Sequence, residues 1–209
     1  MTADRLLLWR HGQTDWNVAT RFQGQADIPL NATGLAQARV AAPVLAALEP
    51  DVLWASDLLR TQRTAAELTA ITGLEARLDP RLREIDVGSW EGLDGAELEA
   101  SDPTAYAALR RGEDVRRSAT GETVSEVGER VAQALTEISE AADDGTTVVV
   151  TTHGLAGRAG MCRLLELPFE HWRTFGSLDN CAWAVLRRHR GGGYWRVAEY
   201  DVSVRETIS

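Results

Sequence analysis

His11 and His153 each close a hydrophobic run and precede a glycine, in Leu6-Leu7-Leu8-Trp9-Arg10-His11-Gly12 and in Val148-Val149-Val150-Thr151-Thr152-His153-Gly154. In a layered α/β protein the loops at the carboxyl ends of parallel strands open on one crevice, so two strand-end histidines distant in sequence can meet there. One imidazole can then attack while the other steadies charge. Around the first, Arg10-His11-Gly12-Gln13-Thr14-Asp15-Trp16-Asn17 puts an imidazole, a guanidinium and several hydrogen-bond donors into one turn. A phosphoryl group uses such donors: arginine binds it through paired N–H groups, and loop amides or an asparagine take the remaining oxygens. A capped loop without a ligand is the plainer alternative.

Three further stretches follow in order: Ala55-Ser56-Asp57-Leu58-Leu59-Arg60-Thr61-Gln62-Arg63-Thr64-Ala65, Leu82-Arg83-Glu84-Ile85-Asp86-Val87-Gly88-Ser89-Trp90-Glu91-Gly92, and His153-Gly154. With Arg10-His11-Gly12 they make the chain resemble the histidine phosphatase superfamily, also called phosphoglycerate-mutase-like, over nearly its whole length. The resemblance implies His11 as nucleophile, its second ring nitrogen held by a backbone carbonyl, and Glu84 as proton donor. It implies Arg10, Arg60 and His153 around the phosphoryl oxygens, with Arg63 one turn away from Arg60. Asn17, Gln23, Gly24 and Gly154 match positions at the phosphate or the adjoining substrate, although Asn and Gly also serve turns without any ligand.

The chemistry these groups support is phosphoryl transfer. A neutral nitrogen of His11 attacks phosphorus in line, dividing hydrolysis into two easier steps. Arg10, Arg60 and His153 stabilise charge as the group transfers. Glu84 protonates the leaving alkoxide, since a phosphate dianion beside it favours the protonated acid, and once ionised it activates water.

A phosphoglycerate mutase would return the phosphoryl group to substrate instead of water. Cofactor-dependent mutases usually carry a tyrosine soon after the glutamate and lysines around the crevice, whereas this chain has Asp86-Val87-Gly88-Ser89-Trp90-Glu91-Gly92 and no lysine. The phosphatase branch is therefore expected, and the loops Arg10–Asn17 and Arg21–Asp27 with Asn180-Cys181-Ala182-Trp183 are similar to the glucosyl-3-phosphoglycerate phosphatases within it. The expected substrate is a small acidic phosphorylated metabolite. A non-catalytic phospholigand-binding protein is the alternative from another class, disfavoured because nucleophile, acid and charge clamp are all present. No cofactor or metal is expected: HExxH and paired His-x-His spacings are missing.

Composition narrows the field further. The net charge of −9 and pI near 5.0 oppose nucleic-acid and anionic-membrane binding, both of which need a positive field. All 22 basic residues are arginine, which removes Schiff-base lysines and the lysine of a Walker loop. Cys162 and Cys181 lie in apolar surroundings without CxxC spacing, so they read as packing residues in a reducing compartment, and the cytoplasm is the expected location. No apolar run reaches the length of a membrane span. A homodimer is compatible, since the final strands offer an edge.

The elements that must position these residues alternate β-like and helical patterns, the sign of a three-layer α/β/α domain with a mostly parallel sheet and an antiparallel edge. A single domain over 1–209 is expected. Thr33-Gly34 opens a helix to about Leu48, with a kink or break at Pro43. Residues 52–55 read as a strand, 57–72 as a helix and 75–78 as a short strand. Residues 81–93 are a glycine-punctuated loop, followed by a helical excursion over the crevice at about 93–120, broken near Pro103. A helix to about Ala142 starts at Gly121 or Thr123, then come a buried strand over 146–151, a helix over 156–165, and a terminal hairpin turning at Arg190-Gly191-Gly192-Gly193.

Other residues read more plainly. His171 is expected to be partly buried or capping, and His189 to sit among solvated charges by the hairpin turn. Trp9 and Trp54 belong to strands, while Trp16 and Trp90 flank the motifs and could line a pocket. Arg110, Arg111, Arg116 and Arg117 are ordinarily solvated, yet an excursion folded over the crevice would let one or two of them meet a carboxylate or second phosphate.

Overall fold

The computed structural model describes residues 2–189, 191 and 193–204. Strand β1 (Arg5–Arg10) runs parallel to β4 (Thr147–Thr152), from Arg5 opposite Thr147 to Arg10 opposite Thr152. That register alone brings His11 and His153 to the same sheet end. On its other side β4 pairs in parallel with β2 (Val52–Ala55), which pairs with the two-residue β3 (Arg77–Leu78). β5 (Trp183–Arg188) lies antiparallel to β1, and β6 (Trp195–Val202) antiparallel to β5, giving the order β3-β2-β4-β1-β5-β6. The turn of this hairpin is only partly described, because Arg190 and Gly192 lie outside the described residues.

Period-two alternation divides the core. Leu6, Leu8, Val148 and Val150 point to one face, under α6 (Val124–Glu140) and α7 (Gly154–Leu164). Leu7, Trp9, Leu53 and Val149 point to the other, under α2 (Ala32–Ala46) and α3 (Leu59–Thr72). All six residues of β4 are buried, which is why its sequence is continuously apolar or threonine.

Several boundaries differ from the expectations. Helix α2 continues through Pro43 to Ala46 and does not break there, at the cost of the one bond that Pro43 cannot donate to the Arg39 carbonyl. The polar loop after β1 contains a short helix, α1 (Asp15–Val18), capped by Thr14. Helix α7 starts at Gly154 rather than Ala156, immediately after His153 as its N-cap residue, which leaves its first amides facing the crevice. The excursion is two helices, α4 (Gly95–Ser101) and α5 (Pro103–Arg111), separated at Asp102 as Pro103 demanded. A 3-10 segment over Phe169–Thr174 carries His171, which is exposed and not buried, its backbone N–H bonded to the Pro168 carbonyl. His189 is exposed and stacks on Tyr194, with ring centroids 4.7 Å apart. Among the described residues no helix is long and apolar enough to cross a membrane.

Candidate active site

His11, just beyond β1, is 3% exposed, and its backbone is fastened on both sides: its N–H donates to the Thr152 carbonyl (3.0 Å), and its carbonyl accepts from Cys181 N and Asn180 Nδ2. Its Nδ1 is 2.7 Å from the Gly12 carbonyl. A carbonyl can only accept, so Nδ1 carries the proton and Nε2 keeps a free lone pair. Burial, then the charges of Arg60 and Arg10, push the imidazole well below its usual 6.5, so it is neutral at pH 7. The loop can sit here because Gly12 and Gly34 pack backbone to backbone: a Cβ on Gly12 would lie 2.3 Å from the Gly34 carbonyl oxygen.

His153 is fully buried, 5.2 Å from His11 between ring centroids. Arg60 Nε donates to its Nδ1 (3.2 Å), which leaves the proton on Nε2, 3.0 Å from Ser56 Oγ. Both ring nitrogens thus have protein partners, and burial followed by Arg60 pushes this imidazole well below 6.5 too. Its contact to a phosphoryl group would therefore run through Arg60 in this arrangement.

Arg60, also fully buried, donates to the Gly24 and Ala26 carbonyls at 2.8 and 2.7 Å. With Nε on His153, two of its five N–H groups have no partner among the described residues. Burial is the main cause that lowers it to about 10, still charged at neutral pH. Arg10 spends one terminal N–H on the Leu178 carbonyl, and its buried Nε has no partner among the described residues. A half-buried guanidinium so sparsely satisfied is suited to an anion. Gly154 allows it to lie there, since a Cβ would sit 3.3 Å from Arg10 Nε and 2.4 Å from Ser177 Oγ.

Glu84 rests on the N-terminus of α7. Its Oε1 accepts from Ala156 N (2.9 Å) and Ile85 N (3.0 Å), and its Oε2 from Leu155 N (3.2 Å). The glycine-punctuated loop that carries it is held by Arg130 of α6. That guanidinium donates to the carbonyls of Arg81, Arg83 and Glu84 while making two 2.7 Å bonds to Glu122. Arg83 adds a fork to Asp57 at 2.7 and 2.6 Å, tying the loop to the start of α3 and holding the Asp57 carboxyl below its usual range.

The remaining expected residues separate by what they touch. Asn17 Oδ1 accepts from Thr14 N (3.0 Å) and faces Asn180 Nδ2 at 3.3 Å, and Gln23 Oε1 accepts from Thr14 Oγ1 (3.0 Å). Among the described residues the amide nitrogens of Asn17 and Gln23 have no hydrogen-bond partner. Gly24 is buried at φ +53, reaching the site through its carbonyl on Arg60. Arg63 is exposed and pairs with Glu67, away from the crevice. Trp90 is core, packed against Phe22 at 6.1 Å, whereas Trp16 is half-buried beside Gly92. Arg111 and Arg116 pair with Glu113 and Glu126, while Arg117 is only 5% exposed. Cys162 and Cys181 are free and buried. Among the described residues no three His, Cys, Asp or Glu side chains cluster to hold a metal.

Ser56, Asn180, the Leu178 carbonyl and Arg130 also hold the site together, though sequence pattern alone gives them no role. Ser56 and Asn180 lie inside stretches already singled out by resemblance, whereas nothing marks Arg130 among helical arginines.

The profile of the histidine phosphatase superfamily (branch 1) matches residues 6–201. The chain is 36% identical to the glucosyl-3-phosphoglycerate phosphatase of Mycobacterium tuberculosis over 218 residues, covering 98% of this chain and 97% of the relative. It is also 36% identical over 178 residues to a probable phosphoglycerate mutase of Enterobacter sp., covering 85% and 82%. Among solved structures, a mycobacterial glucosyl-3-phosphoglycerate phosphatase in complex with VO3 superposes with a TM-score of 0.89 at 36% identity, over 96% of this chain and all of that one.

Proposed function

The chain belongs to branch 1 of the histidine phosphatase superfamily and is a phosphoric monoester hydrolase, and on that footing we propose a metal-independent reaction through a phosphohistidine on His11. The observation that carries this reading is the Nδ1 contact to the Gly12 carbonyl, which frees a neutral Nε2 on a ring that feels the charges of both Arg60 and Arg10.

The lone pair of Nε2 attacks phosphorus, the N–P bond forms, and the ester P–O bond breaks with its electrons on the leaving oxygen. Glu84 is the acid placed to give that oxygen its proton, which it takes up when the substrate's phosphate dianion lies beside it. Water then attacks the phosphohistidine while the Glu84 carboxylate takes a water proton, the N–P bond breaks and phosphate leaves. Arg10 and the two free N–H groups of Arg60 stabilise the transferring oxygens, and the amides of Asn17 and Gln23 supply further donors. His153 keeps Arg60 aimed, Gly24 anchors it, and Gly154 gives Arg10 room.

Glucosyl-3-phosphoglycerate is the lead substrate, supported by near full-length likeness to phosphatases of that name and by a lysine-free chain that lacks the lysines expected of a mutase. The single-domain reading rests on one sheet that draws strands from Arg5 to Val202. A cytoplasmic location accords with two buried free thiols, and a homodimer with the sheet edge at β6. A phosphatase screen over glucosyl-3-phosphoglycerate, 3-phosphoglycerate, phosphoserine and p-nitrophenyl phosphate, with His11→Ala as control, tests the assignment. The highest kcat/KM should fall on glucosyl-3-phosphoglycerate; a better hydrolysed ester replaces the substrate, and activity surviving in His11→Ala removes the mechanism.

A further inference from the structure

A cavity of about 410 Å³ lies between the end of α5 and the outer face of α7. Its apolar wall includes Leu109, Leu155 and Trp172, and four arginines line it: Arg110, Arg117, Arg158 and Arg173. Among the described residues none of the four has a carboxylate within 4.0 Å, although most arginines of the neighbouring loops and helices do. The acidic groups nearby are already engaged. Glu113, which also lines the cavity, bonds Arg111 at 2.6 Å, and Asp114 accepts from the backbone of Val124 and Ser125.

The arginines themselves are poorly satisfied. Arg117, 5% exposed, donates to the Val115 carbonyl (2.8 Å). Arg158 has one long bond to the Phe175 carbonyl (3.4 Å), and its buried Nε has no partner among the described residues. Arg173 lies against Gly112, where a Cβ would come within 1.9 Å of its guanidinium. Burial, together with the like charges of Arg158 and Arg173, lowers Arg117, opposed by Asp114. Four converging cations with one buried are costly without counter-charge, and guanidinium forks match a carboxylate or phosphate in shape.

We propose that this cavity is a second anion site, separate from the transfer site, that takes a carboxylate or phosphate group. It adjoins the acid through one residue: Leu155 lines the cavity and holds Glu84 Oε2 with its backbone N–H. The bound group has two sources, the far acidic end of a substrate seated at His11 or a separate free anion. Only the first source rests on the phosphomonoesterase reading.

The test uses the full chain and the double variant Arg110→Gln/Arg173→Gln. Both positions are exposed, so folding should survive. Equilibrium binding of inorganic phosphate is measured alongside kinetics on 3-phosphoglycerate and p-nitrophenyl phosphate. A free-anion site gives two phosphates per wild-type chain and one in the variant, with kinetics unchanged. A substrate-end site raises KM for 3-phosphoglycerate by about tenfold or more while p-nitrophenyl phosphate kcat/KM stays level. One phosphate per wild-type chain together with an unchanged 3-phosphoglycerate KM overturns the site. No turnover of either ester would instead strike the phosphomonoesterase reading, and the phosphate stoichiometry would still decide this one.

Discussion

Arg130 is the perturbation whose consequences can be followed furthest. Its guanidinium bridges three consecutive-loop carbonyls, those of Arg81, Arg83 and Glu84, at 2.7 to 2.9 Å, and meets both oxygens of Glu122. Arg130→Met keeps most of the side chain's length but strands Glu122 and leaves the carbonyls without this donor. Breaking a buried ion pair by removing one partner costs about 3–5 kcal/mol. Here the two side chains are 20% and 22% exposed, so water recovers part of that, and about 2–4 kcal/mol is the reasonable range. For a chain of this size each kcal/mol moves the melting midpoint by about 2–4 °C, so 3 kcal/mol implies a fall of about 6–12 °C in thermal unfolding. The Glu84 carbonyl is among those released, so kcat should drop by about 10–100-fold at temperatures where the variant is folded, with phosphate inhibition nearly unchanged. Arg130→Lys should recover only part of the loss, since an ammonium cannot reproduce the fork. A melting temperature within about 1 °C of wild type, with full kcat, would refute the clamp.

Glu84→Gln should lower kcat by about 10²–10⁴-fold while vanadate inhibition persists, with the loss smaller for p-nitrophenyl phosphate, whose leaving group needs little protonation; equal losses for both ester types would contradict the acid role. Acidification below pH 6.5 should destabilise the fold through its two buried imidazoles. His11 and His153 are held well below 6.5, so below that pH the unfolded chain binds protons that the folded chain refuses. Their stabilisation is present above pH 6.5 and is lost as pH falls, by up to about 1.4 kcal/mol per unit for each histidine. Urea denaturation at pH 7.5 and 5.5 reads this directly, and equal stability at both would show that the imidazoles are accessible to protons.

The parts of the site carried by contiguous sequence were legible, and those assembled across the fold were not. Arg10, His11 and His153 stand at the ends of apolar strands, so their motifs and their shared crevice follow from local pattern and sheet topology. Glu84 was visible only through likeness to a family, because a glutamate in a glycine-rich loop has no local mark of its own. That α7 begins at Gly154 and offers its amides to Glu84 depends on packing, not propensity. Pro43 misled for the reverse reason: local rules give it a kink or break, yet α2 runs on through it, giving up the single bond to the Arg39 carbonyl. The four excursion arginines looked alike in sequence. Their pairing separates them, since Arg111 and Arg116 have carboxylate partners and Arg110 and Arg117 face a cavity.

The central claim is that His11 Nε2 carries the phosphoryl group. Rapid mixing with a radiolabelled phosphomonoester followed by denaturing quench tests it most directly. Labelled protein should accumulate that is lost in acid and kept in alkali, with the label on His11 and none on His11→Ala. Label stable to acid, or label retained by His11→Ala, would contradict the account.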